Sequence, residues 1–121
     1  MNEDPSAIFV FGSNLAGRHG AGAALHAKKY YAAQYGVGRG PTGRAYGIPT
    51  KDAELHSLSL TQIRHEVKGF LEYARHHTEL YFYVTRIGCG LAGYTNKQIA
   101  PMFRGAPDNC EFDDAWEPYL I

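Results

Sequence analysis

Leu80-Tyr81-Phe82-Tyr83-Val84-Thr85, followed at once by Arg86-Ile87-Gly88-Cys89-Gly90-Leu91-Ala92-Gly93, decides the reading of the fold. The first six residues are rich in aromatic and β-branched types, which predicts a strand. The next eight hold three glycines, and Thr95 beyond them is placed to cap a short helix reaching about Phe103. A strand running through a glycine loop into a helix is the building unit of an α/β sheet. The same succession stands upstream. Ala7–Phe11 is a continuous apolar run, as in a strand buried on both faces. A loop from Gly12 to Gly20 follows it, and Ala21–Tyr35, alanine-rich and free of proline, predicts a helix closed by Gly36.

The middle of the chain fits the same scheme. Gly36–Gly43 carries four glycines and Pro41, which predicts a mobile loop. Ala45–Ile48 reads as a strand stopped by Pro49. Ser59 and Gln62 have the spacing of a capping box, and Ile63, Val67, Phe70, Leu71 and Ala74 recur at helical period behind them. Cys110–Phe112 reads as a last strand, with a short acidic, aromatic tail from about 113. The expectation is an α/β fold in which a mixed, mostly parallel sheet is sandwiched between helices, and residues 1–121 form a single domain.

Composition narrows the function. Twelve basic residues balance twelve acidic ones, which argues against an electrostatic nucleic-acid clamp as the default while leaving a local basic cleft open. No apolar run approaches the roughly 18 residues of a membrane span. The polar, acidic start, residues 1–6, does not read as a signal peptide. Cys89 and Cys110 have no metal-knuckle or disulfide spacing, so a cytoplasmic location is expected. Glycine is the unusual count, 14 in 121 residues, against a typical value of about 7%.

The two glycine loops both leave a predicted strand and enter a predicted helix. Glycine lets a backbone approach a ligand closely, and unbonded N–H groups at a helix start attract an anion. Two such loops can grip a diphosphate from both sides. Gly12-x-x-x-x-Gly17 has Walker A glycine spacing, but Arg18 and His19 stand where Lys and Ser/Thr are required. Gly20-x-Gly22 lacks the third glycine of a dinucleotide fingerprint, Leu25 standing there, and Gly36-x-Gly38 meets Pro41 instead. Neither a P-loop nor a Rossmann site is expected.

Gly20-Ala21-Gly22-Ala23-Ala24 after a strand and an asparagine loop, Ile48-Pro49-Thr50-Lys51, and Arg86-Ile87-Gly88-Cys89-Gly90-Leu91 before a helix together resemble a macrodomain. The nearest branch is that of the terminal ADP-ribose glycohydrolases and of antitoxins that remove ADP-ribose from DNA. The resemblance runs from about Ile8 to Phe112. It implies an ADP-ribose cleft at the strand ends, with Gly20, Ala21 and Gly22 in one phosphate loop. Gly88, Cys89, Gly90, Leu91, Ala92 and Gly93 would form the other. Asn14 resembles the loop asparagine near the distal ribose, and Tyr94 takes the place of an aromatic wall. Lys51 falls where hydrolytic members keep a lysine implicated as the nucleophile, a role that needs an unprotonated amine. Some hydrolases carry an aspartate where Ala92 stands here, whereas DNA-directed relatives can carry glycine.

The resemblance therefore implies binding of ADP-ribose or an ADP-ribosyl group, with no cofactor and no membrane. Its partners would be the nucleotide itself or ADP-ribosylated protein or DNA. One alternative is an ADP-ribosyl hydrolase working through Lys51. Another is an interaction module whose glycines serve packing only. Cys89 is read as a small apolar residue beneath its loop rather than a nucleophile. The six histidines form no metal box. Arg18, Arg39 and Arg44 lend positive charge either to a phosphate cleft or to the surface. Tyr30, Tyr31 and Tyr35 are expected to pack the first helix.

Overall fold

A computed structural model describes residues 6–121; the acidic start, residues 1–5, lies outside the described residues. Five strands form one sheet: β1 (Ile8–Asn14), β2 (Gly40–Thr42), β3 (Ala45–Lys51), β4 (Phe82–Val84) and β5 (Cys110–Phe112). Their order across the sheet is β2-β3-β1-β4-β5, with β2 antiparallel to β3 and the other pairs parallel. The fold is therefore α/β with a mixed, mostly parallel sheet.

Alternation along the strands explains the two layers of helix. Phe9 and Phe11 of β1 and Ala45 of β3 point to one face, where they pack with Ala24, Ala27 and Tyr31 of the α1 region (α1, Gly22–Tyr30). Val10, Tyr46, Ile48, Phe82 and Val84 point to the other. There they meet α2 (Leu60–His76) through Ile63, Val67, Phe70, Leu71 and Ala74, the stripe its helical period predicts. The Ser59–Gln62 capping box is formed in both directions, at 3.1 and 2.9 Å. α3 (Asn96–Ile99) begins at Thr95 with a second capping box and continues as a 3-10 helix over Ala100–Phe103.

Several expectations are corrected. α1 ends at Tyr30, not Tyr35. Ala32 turns into the left-handed region (φ 58°), and the Ala33 N–H reaches back to the Ala27 carbonyl at 3.2 Å. Tyr31 follows the Ala24–Ala27 stripe at helical spacing, and the turn brings Ala33 into the core as well. Residues 40–42, predicted as part of a loop, form the edge strand β2. β3 runs through Pro49 to Lys51 because β2 pairs only with Ala45–Gly47. Beyond that point Pro49 faces a ladder only toward β1, and its missing N–H is tolerated. The stretch after 113 is no loose tail: Asp114–Tyr119 is a 3-10 helix that buries Trp116 completely.

Candidate functional site

β1, β3 and β4 are parallel, so their carboxyl ends lie on one side of the sheet. The chain leaves β1 over one face through α1 and returns from β3 to β4 over the opposite face through α2. Such a reversal opens a crevice beyond the strand ends. A cleft of about 520 Å³ sits there. Ser13 and Asn14 from β1 and Thr50 and Lys51 from β3 supply the strand-end wall. Gly20, Ala21 and Gly22 at the start of α1 line one flank, and Gly88, Gly90, Leu91 and Ala92 line the other. The two flanks nearly meet: a Cβ added at Gly22 would lie 3.8 Å from Leu91 Cδ1.

Both flanks present unbonded backbone donors. Ala21, as N-cap of α1, has no side chain able to accept from the first turn, and that turn carries no acidic residue. Among the described residues, the N–H groups of Gly20–Ala24 donate to no protein acceptor, and neither do those of Gly88, Gly90, Leu91 and Ala92. The second loop is held in shape from behind. Ser57 Oγ donates to the Ala92 carbonyl at 2.7 Å, and the Tyr94 hydroxyl donates to the Leu58 carbonyl at 2.6 Å. Gly88 adopts φ 76°, and a side chain there would press on Ile99 at 3.1 Å, so this glycine shapes the loop.

Among the described residues, three cations line the cleft, Arg18, Lys51 and Arg86, and no Asp or Glu does. Neither the Arg18 guanidinium nor the Lys51 ammonium has a side-chain partner among the described residues. Arg86 reaches Asn96 Oδ1 at 3.5 Å. Beneath the first loop His19 is buried, its Nε2 3.2 Å from the Val37 carbonyl. Burial holds its pKa below the ordinary value, the bond to Val37 opposing and the nearby Lys28 charge adding to the shift. It is a neutral brace between two loops.

The cleft thus gathers Asn14, Gly20, Ala21, Gly22, Lys51, Gly88, Gly90, Leu91 and Ala92, but not every expected residue. Tyr94 is not a wall of the cleft: its ring packs on the core and its hydroxyl anchors the loop. Gly93 serves the turn, with φ 84° and its N–H bonded to the Gly90 carbonyl. Cys89 does not line the cleft: it borders a smaller adjoining pocket and packs partly buried against the core. Burial pushes its thiol pKa up, against the nucleophile reading. The Asn14 amide spans its own loop, accepting from the Arg18 N–H at 3.0 Å and donating to the Arg18 carbonyl at 2.9 Å. Arg39 is paired with Glu66 and Arg44 lies over the Tyr31 ring, so of the three named arginines only Arg18 lines the cleft.

Arg86, Thr85 and Leu55 line the cleft without having been assigned to it, and so does Tyr35, which was expected to pack the first helix. Arg86 could have been found, since it opens the Arg-Ile-Gly-Cys-Gly run. Leu55 had no such signal; it sits in the left-handed region (φ 69°) on a turn bound by Asp52. Among the described residues no group of three or more His, Cys, Asp or Glu is placed to hold a metal, and no helix is long and apolar enough to cross a membrane.

No family model matches this chain, and neither does any curated protein. A solved structure described as a protein of unknown function from Bacteroides thetaiotaomicron is similar at a TM-score of 0.56 and 18% identity, over 81% of this chain and 79% of that one. That similarity shows a shared α/β fold.

Proposed function

We propose that the cleft binds ADP-ribose or an ADP-ribosyl group. The diphosphate lies between the N–H groups of Gly20–Gly22 and those of Gly88–Ala92, with Arg18 and Arg86 balancing its charge. The resemblance to macrodomains supplies the identity of the ligand; the cleft supplies the fit to an anion. One observation carries the reading. Gly20 and Gly90 have no positive φ, and a Cβ at either would meet nothing within 4 Å. Neither packing nor backbone geometry requires glycine there. A side chain at either position would occupy the cleft wall, where a ligand's phosphates need close approach.

Calorimetric titration tests this. ADP-ribose should bind with a micromolar Kd, about −8 kcal/mol, and AMP much more weakly. Gly90→Glu, whose side chain has room in the fold, should weaken ADP-ribose by at least about 30-fold, ~2 kcal/mol. Absence of heat with millimolar ADP-ribose refutes the reading. Undiminished affinity in folded Gly90→Glu places the ligand elsewhere.

Lys51 gives a second reading specific support, because it borders the cleft and its ammonium has no partner among the described residues. Attack of its amine on the anomeric carbon would release the modified group. With no carboxylate among the described residues lining the cleft, release of the resulting adduct would find no base among them. Binding is therefore the primary proposal. If turnover of an ADP-ribosylated substrate is measured, Lys51→Ala should abolish it while ADP-ribose affinity changes only a few-fold. Equal turnover in parent and variant removes the lysine mechanism.

A further inference from the structure

A net charge of zero conceals a division along the chain. Residues 1–51 hold six Lys and Arg against two acidic residues, Glu3 and Asp4; residues 52–121 hold six Lys and Arg against ten Asp and Glu. The basic half includes α1 and its flanking loops, so charge summed over the whole chain misjudges that face. Charge asymmetry of this kind points to a polyanionic partner.

The same face carries two aromatic rings left largely exposed, Tyr30 tilted against His26 with ring centres 4.7 Å apart and Tyr35 edge-on to His19 at 6.0 Å. Tyr30 and Tyr35, expected to pack the first helix, are 62% and 61% exposed, whereas Tyr31 between them is buried. Lys28 Nζ stands 5.2 Å from the centre of the Tyr35 ring. The Arg44 guanidinium is bonded to the Tyr30 carbonyl at 3.0 Å. Lys29 is exposed beside Tyr30. Tyr35 and Arg18 belong also to the cleft lining, so the surface runs from the cleft mouth along α1. Among the described residues no carboxylate pairs with Arg18, Lys28 or Lys29.

We infer that this face, which adjoins the cleft at Arg18 and Tyr35, binds single-stranded nucleic acid without sequence preference. Exposed rings offer stacking platforms to unpaired bases, and the cations between them meet phosphates. A paired duplex hides its base faces from such rings. An acidic protein or an anionic membrane would use the charge but not the stacking. Tyr30, Lys28 and Lys29, the residues its test alters, lie outside the cleft lining.

Fluorescence anisotropy with fluorescein-labelled dT20 and U20, at 50 and 200 mM NaCl, tests it on the full chain. Both strands should bind, more weakly at the higher salt. Tyr30→Ala is the informative variant, since Tyr30 is exposed and outside the cleft lining. It should weaken strand binding by about 5-fold or more with an unchanged Tm. The double variant Lys28→Gln/Lys29→Gln should flatten the log–log salt slope by about 0.7 per lysine. No binding at 50 mM NaCl overturns the inference. So does a 20-base-pair duplex bound as tightly as dT20, or a Tyr30→Ala protein that binds like the parent. The last result would leave charge alone as the attraction and favour a protein or membrane partner.

Discussion

At the scale of single residues, the cleft depends on groups made unable to compete for it. Asn14 spends both ends of its amide on Arg18, and His19 is neutral beneath the loop. His19 also ties stability to pH. Its folded pKa is depressed below 6.5, so below about 6.5 the unfolded chain takes up a proton that the folded chain refuses. The uncharged His19 leaves stability whole above that value and lets it fall as pH drops toward the folded pKa. Urea unfolding from pH 8 to 5 should therefore decline less steeply below pH 6.5 in His19→Gln than in the parent. Parallel curves would mean that His19 titrates normally in the folded protein.

The elements differ in how far sequence revealed them. α2 was legible from its cap at Ser59 through its stripe to Ala74, because capping box and apolar period agree. The glycine-flanked strand ends were legible too, and with them most of the cleft wall. The end of α1 was not. Nothing local distinguishes Ala32 from the alanines before it; the turn lets Ala33 reach the core, and the Ala32 carbonyl lies where Gly43 leaves room. Tyr94 failed for a related reason, its hydroxyl having a partner in a segment 36 residues away. A left-handed alanine costs roughly 1 kcal/mol that glycine does not. Ala32→Gly should therefore raise stability by up to about 1 kcal/mol, seen as a Tm increase of a few degrees. A lowered Tm would mean that the strain is relieved some other way.

Across the whole molecule, the carboxyl-terminal stretch is tied to the cleft. Trp116 is fully buried against Phe103 and Phe112, with ring centres 5.2 and 6.3 Å away. Its indole N–H donates to Asn96 Oδ1 at 3.0 Å, the same oxygen that meets Arg86. Trp116→Ala should cost about 3–5 kcal/mol, a large part of a typical domain's 5–15 kcal/mol, and chemical denaturation will measure it. A loss below 1 kcal/mol would mean that this stretch is dispensable. The opposite margin of the sheet carries a different consequence. β2 is three residues long and has Pro41 at its centre, exposed. A proline offers no N–H, and so short a strand presents almost no ladder to a newcomer. A foreign strand cannot prolong the sheet there, so crowding at high concentration should not propagate fibrous aggregation from that margin.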